Sequence, residues 1–295
     1  MESEKSGGLT LIVCTLISLL LANSTIGVGY CAFWETPIGS HTLAEWINDG
    51  LMAIFFLLVG LELIQEIYEG ELSNIKRAML PISGAFGGMV IPAGIYMFLN
   101  FGTETHAGFG MSLLGSRVPT SLKVFLTALA VIDDLGAIIV IAIFYTQSLA
   151  WIYLLIAIGV FILLLLLNKK FNITNIVPYI IGGIVMWYCM LHSGVHATIA
   201  GVLLAITIPF KKKNPECLSN KMQHALHYPV AFGVLPIFAL ANTAMLIEGN
   251  WDQSIGEPFA LGIIFGLIIG KPVGITLFSF VFVKSGICSL PRGVK

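Results

Sequence analysis

Nine apolar runs, at residues 9–28, 47–65, 79–100, 121–146, 150–168, 177–192, 194–209, 228–247 and 259–283, are each long enough, or nearly so, to cross a bilayer. Of the 295 residues, 57% are hydrophobic and only 11% charged, against roughly 25% charged in a soluble domain. The pattern predicts an all-α polytopic membrane protein, with one transmembrane bundle over residues 1–295. The runs at 177–192 and 194–209 are short and separated only by Ser193, so they read as a tight hairpin or as tilted, protein-shielded spans.

Loop charges orient the bundle. Lys76-Arg77, Arg117 with Lys123, Lys169-Lys170, Lys211 to Lys213 with Lys221, and Lys284 with Arg292 and Lys295 all suit the cytoplasm. Arg77 and Arg117 then require an even number of crossings between them, yet only one full run, 79–100, intervenes. Residues 101–116, glycine-rich and too short for a helix across the bilayer, therefore return as a shortened, irregular segment. Such a backbone has to be shielded by protein or line a wet cavity. The count becomes about nine full transmembrane helices plus one short broken segment, with both termini cytoplasmic. Ahead of Leu9–Leu21, one lysine stands against two glutamates, which favours a retained first membrane helix over a signal peptide.

Three charges lie where hydrocarbon should be. Asp133 and Asp134 sit at the middle of the 121–146 run, and Lys271 at the middle of the 259–283 run, each about 18 Å from its helix ends. One ionised side chain at that depth costs about 3 kcal/mol by insertion scales. Contact between the three offsets this: Lys271 pairs with one aspartate and leaves one net negative charge. A proton or a small cation then occupies that charge, and competition between the two is the core of an exchange mechanism. Adjacent helix positions point about 100° apart, so one aspartate can face Lys271 and the other a water-filled funnel. The plainer reading, a structural ion pair that fixes helix register, needs only one aspartate. Gly262, Gly266, Gly270 and Gly274 give the Lys271 helix a bare face for close packing. Pro272 removes a backbone donor and predicts a bend or local opening beside Lys271.

The remaining polar residues are less specific. Asp49, after Asn48, reads as a helix-start acid near an interface. Glu62, Glu66, Glu69 and Glu71 could form an acidic cytoplasmic mouth, with a solvated face as the equal alternative. His224 and His227, placed in the loop before the 228–247 run, are candidates for a pH response, although surface histidines are more often inert. His196 sits at a helix start and reads as a hydrogen-bonded structural residue. The five cysteines are scattered and without CxxC, which points to packing residues rather than a metal site or disulfides. No nucleophile elbow, phosphate-binding loop or zinc spacing is present, so an enzyme is not indicated and no cofactor is expected. The near-zero net charge gives no sign of nucleic-acid binding.

Several stretches together resemble the NhaA-type sodium/proton antiporters. They are Trp46 to Ala53 with Phe55 to Glu62, Leu114-Gly115-Ser116-Arg117-Val118-Pro119, Ala130 to Ala137, Ser193 to Gly201, and Gly270-Lys271-Pro272-Val273-Gly274. The resemblance covers nearly the whole chain. It implies an inverted-repeat transporter bundle, an architecture for which this family is itself a type example, here truncated to a single transporter domain over 1–295. It also implies Na⁺ or Li⁺ leaving the cell against entering protons in a bacterial inner membrane, linked to pH. Asp134 would be the ion-binding carboxylate, with Asp133 its partner toward the transported Na⁺ and paired with Lys271 when no ion is bound. Glu62, Glu66, His224 and His227 would belong to the pH-responsive cytoplasmic mouth. The implied partners are the bilayer and the transported ions, with a homodimer compatible.

Departures accompany the match. The family's broken fourth helix, with its Thr-Asp pair, is reduced to His106–Leu114, and the chain stops at Lys295, before the symmetry-related broken helix. Gln223 stands where an acid is usual, and Leu63-Ile64-Gln65 replaces a basic pair. The alternative expectation is a family remnant or fragment that keeps the bundle and lacks exchange, and a weaker third is a passive leak.

Overall fold

The computed structural model describes residues 2–73, 75–100, 136, 149–212, 214–247 and 256–288. Asp133, Asp134, Arg117, Lys123 and the 101–116 segment lie outside the described residues, as does all of the 121–146 run except Gly136. The described chain is helical apart from one hairpin, and it divides into two compact units. The first comprises Met1–Ile64 and Thr146–Glu248, the second Gln65–Tyr145 and Gly249–Lys295.

The first unit begins with α1 (Glu2–Ala22) and α2 (Gly27–Trp34), which are bent by 119° to each other. The largely apolar run 9–28 predicts one span. The structure breaks it because Asn23, Ser24 and Thr25 form a turn, and only glycine fits at 27, where a Cβ would run into the carbonyl of Ala22. The buried Ser18 hydroxyl donates to the Leu240 carbonyl at 2.7 Å and lies 2.9 Å from the Tyr30 hydroxyl. Asn23 donates to the Met245 carbonyl and accepts from the Ile247 amide. The bent pair thereby satisfies the backbone where a later helix ends.

A hairpin, β1 (Pro37–Ile38) against β2 (His41–Thr42), turns through Gly39 at φ +71. Thr42 then caps α3 (Leu43–Glu69): its hydroxyl accepts from the Glu45 amide, and its own amide donates to the Glu45 carboxylate. The helix-start acid is therefore Glu45. Asp49 lies one turn further on, inside a widened π-turn at Ile47–Leu51.

The helices α5 (Trp151–Lys169), α6 (Val177–Leu191) and α7 (Ile199–Thr207) pack together around Leu57, Leu61, Tyr179, Met186 and Ile208. α6 and α7 form the hairpin that Ser193 suggests, with Gly194 at φ +82 in its turn. Their 15 and 9 residues reach only about 22 and 14 Å. Neither spans 30 Å of hydrocarbon as a regular helix.

α8 (Leu218–Asn242) starts ten residues before the apolar run it contains. Placing His224 and His227 in a loop is thus wrong; both are helical. The first three turns of α8 are amphipathic, with Lys221, Gln223 and His224 among apolar residues, so hydropathy alone does not register them. Among the described residues five helices are long and apolar enough to cross a membrane, or six if α1 and α2 count as one span. The chain is a helical membrane protein.

The second unit is organised by α4 (Ile75–Leu99) and α9 (Pro258–Lys284). They run antiparallel: Gly274 lies on Gly87, Gly270 on Pro92, and Gly262 on Tyr96 and Asn100. A Cβ at Gly274 would fall on the Gly87 carbonyl oxygen, so the two backbones touch there. At the other end Asn100, fully buried, donates to the carbonyls of Tyr96 (3.0 Å) and Pro258 (3.1 Å). Asn100→Ala removes both of these buried hydrogen bonds and leaves the space of the amide empty, at a cost of about 1–3 kcal/mol. The unfolding midpoint of the detergent-purified protein should fall by about 3–8 °C, and an unchanged midpoint would deny these bonds a role in stability.

Two helices share a local device. In α8 a π-turn at Val230–Val234 precedes Leu235-Pro236, and in α9 one at Gly266–Gly270 precedes Lys271-Pro272. The amide of Leu235 donates to the Val230 carbonyl, and that of Lys271 to the Gly266 carbonyl, each five residues back. Proline has no amide to donate, and its ring crowds the carbonyl four residues earlier. That carbonyl, of Phe232 or Ile268, falls within the wide turn, which relieves the crowding. The opening expected from Pro272 takes this form.

Candidate ion-binding site

Lys271 is the midpoint of α9, the first residue beyond the π-turn, and only 5% exposed. An ammonium buried at that depth requires hydrogen-bonding and charge partners. Its aliphatic stem crosses α4 at Gly88: a Cβ built there meets Ile275 Cγ1 at 2.9 Å and Lys271 Cγ at 3.8 Å. The crowded neighbour at 88 is Ile275, with the lysine stem beside it at ordinary contact distance.

The next residue of α4, Met89, touches a different segment. Gly136 sits against it so closely that a Cβ at 136 would overlap the Met89 sulfur and lie 2.8 Å from its terminal methyl. Gly136 is two positions beyond Asp134 in the chain, a reach of at most about 7 Å. Consecutive α4 residues therefore contact the lysine and the neighbour of the carboxylate pair. Sequence reasoning missed Gly88 and Met89, which carry no charge or polarity; the Gly87-Gly88 pair inside an apolar run was the available signal.

The other candidates are dispersed. In the first unit, Asp49 is half-buried; its backbone carbonyl accepts from the Trp187 indole at 2.8 Å, and neighbouring Asn48 accepts from Asn242 at 2.7 Å. His196 is exposed in the turn before α7, where its carbonyl accepts from the Ile199 amide, consistent with a structural place. Glu62 and Glu66 occupy the last turns of α3, and the Glu66 carboxylate folds back over Gly70. On α8, His224 is exposed and His227 half-buried, its ring 6.1 Å from that of Tyr228. Just before α8, a hydrogen bond from Lys221 at 2.7 Å holds the Glu216 carboxyl below its usual range.

A groove of about 630 Å³ in the first unit, between Trp46, Gly50, Leu57, Gly183, Trp187 and Leu204, is almost wholly apolar. It offers nothing to replace a cation's hydration shell and is not an ion site. Among the described residues no group of three or more histidine, cysteine or acidic side chains is arranged to hold a metal.

The profile of the family described as "Na+/H+ antiporter 1" matches residues 1–295. A protein of Flavobacterium johnsoniae named Na(+)/H(+) antiporter NhaA 1 is 57% identical over 307 residues, covering 100% of this chain and 80% of its own length. The NhaA antiporter of Flavobacterium psychrophilum is 56% identical, covering 98% and 79%, and that of Dechloromonas aromatica 54% identical, covering 99% and 79%. The first alignment is longer than this chain, so at least about twelve positions of that relative have no counterpart here. These relatives are named as transporters, not enzymes. With a buried intramembrane lysine in the matched Gly-Lys-Pro block, and identity above half over essentially all its length, the chain belongs to the Na⁺/H⁺ antiporter family.

Proposed function

We propose that this chain exchanges Na⁺ or Li⁺ for protons across the bacterial inner membrane, in a pH-linked manner, at a midplane site formed by Asp133, Asp134 and Lys271. The observation that carries this reading is the burial of Lys271 against Gly88 while the adjacent Met89 meets Gly136, near the carboxylates in sequence. In this mechanism Asp134 takes the cation. Asp133 pairs with Lys271 in the ion-free state and turns toward the ion when it arrives. Protons and Na⁺ compete for one carboxylate, so loading one expels the other. Glu62, Glu66, His224 and His227 form the cytoplasmic mouth, where protonation couples the rate to pH.

The names of the relatives support the substrates. The architecture that goes with this reading is a single transporter domain, an inverted-repeat bundle of about nine spans with a shortened irregular segment at 101–116. Both termini are cytoplasmic, and the unit is a homodimer.

A second reading, a family member that keeps the bundle without exchange, is favoured by the dozen missing aligned positions. Proton-gradient measurements in everted vesicles separate the readings. Exchange gives alkalinisation of the vesicle lumen that depends on added Na⁺, and a remnant gives none. Collapse of the gradient without Na⁺ would identify a leak and defeat the proposal.

A further inference from the structure

The apolar groove of the first unit is a recess bounded by three helices. α7 is its floor, packed so tightly on α3 that a Cβ at Gly201 would strike the Ala53 carbonyl oxygen. α3 forms one wall through Gly50, Ile54 and Leu57, and α6 the other through Ile180, Gly183 and Ile184. At one end Trp46 and Trp187 meet with their rings 6.0 Å apart, where α3 begins and α6 ends. The rim faces the bilayer: Ile54, Ile180 and Ile184 are 37%, 44% and 60% exposed, on helices of a membrane protein. The groove is thus continuous with the surface that lipid hydrocarbon covers. A Cβ at Gly50 would meet nothing nearer than Trp187 Cζ2, at 3.8 Å, so position 50 looks into the groove.

Its dimensions select the occupant. From Trp46 to Leu57 the lining of α3 rises about 17 Å, close to the roughly 15 Å of hydrocarbon in one leaflet. Spread over that length, 630 Å³ gives a cross-section of about 37 Å². A helix is about 10 Å across and needs about twice that section, so neither a further span nor a helix of a second copy fits inside. A single hydrocarbon chain does. Water is a poor occupant of so apolar a space, and without a filler the lining forfeits its dispersion contacts. We infer that this groove binds one acyl chain of a bilayer phospholipid, with the glycerol end beside Trp46 and Trp187. Tryptophan favours headgroup depth, which sets that direction. No charged side chain lines the groove, so the chain and not the headgroup determines occupancy. Occupancy does not depend on the exchange reading, because none of the proposed ion-site residues takes part.

Tryptophan quenching by phosphatidylcholine brominated in its acyl chains, titrated into the delipidated full chain in detergent micelles, tests this. Bromine quenches on contact, and Trp46 and Trp187 are two of the five tryptophans. Their share of the fluorescence should be quenched saturably near one lipid per chain, and brominated phosphatidylglycerol should do the same. Gly50→Leu places its side chain where the acyl chain lies and should weaken the saturable phase at least about tenfold. Gly159→Leu is the control: on α5 outside the groove, a Cβ there would meet nothing within 4 Å, and quenching should not change. If Gly50→Leu cannot be recovered folded, Gly50→Ala serves, with an expected loss of about fourfold.

Quenching that rises without saturation in the unsubstituted protein would mean ordinary surrounding lipid and overturn the inference. The same holds for a saturable phase that survives Gly50→Leu or Gly50→Ala unchanged. Saturation by the glycerol lipid alone would place the binding at a charged headgroup site and not in this groove. Unchanged quenching with a smaller assembly on size exclusion for Gly50→Leu would assign the groove to a contact between copies instead.

Discussion

Asparagine in place of Asp134 is expected to abolish Na⁺-dependent proton movement in everted vesicles and to weaken Na⁺ binding at least about a hundredfold. In the proposed site Lys271 neutralises one carboxylate, and the second supplies the one net negative charge. A cation about 3 Å from it at an effective dielectric near 20 gains about 5 kcal/mol, and the near-isosteric amide removes nearly all of that while keeping shape. Glutamate at 134 keeps the charge but moves it by one methylene, so Asp134→Glu should retain weak binding. Substantial Na⁺-driven exchange by the Asp134→Asn protein would show that the ion binds elsewhere.

The second large effect concerns folding. Gly274→Leu is expected to prevent recovery of folded protein, and Gly274→Ala to lower stability by about 1–3 kcal/mol. A Cβ at 274 meets the Gly87 carbonyl oxygen and lies 3.1 Å from Ile91 Cβ. Neither is the free end of a flexible side chain, so accommodation requires α4 and α9 to separate. The yield of monodisperse protein on size exclusion, with Gly94→Leu as a control, reads this out, since a Cβ at Gly94 would have nothing within 4 Å. Equal yields from the two leucine variants would mean that the helices are not held at the glycine crossing.

Much of this arrangement is legible in the sequence because lipid imposes few solutions. The depth of Lys271, the wide turn beside Pro272 and the bare glycine face follow from helix geometry and proline chemistry. Less legible were features that depend on hydrogen bonding rather than on hydropathy. The bend between α1 and α2 falls at Asn23-Ser24-Thr25, and it is easily read through because Ile26, Gly27 and Val28 resume the hydropathy past the turn. The first turns of α8 were lost for the opposite reason: their polar face resembles a loop. Gly88 and Met89 are silent in any one-dimensional reading. Their meaning lies in what stands across from them, Lys271 and Gly136.

The wide turn in α9 also settles an angular problem. Residues four apart on a regular α-helix advance about 400°, a drift of about 40° per step, so Gly262 and Gly274 would be about 120° out of phase. The one additional residue in Gly266–Gly270 subtracts about 100° from everything that follows. That leaves the two glycines within about 20° of one another, and both indeed meet α4, at Tyr96 and at Gly87. The π-turn thus brings a spacing that would spiral around the helix into one straight seam, with Lys271 set beside it.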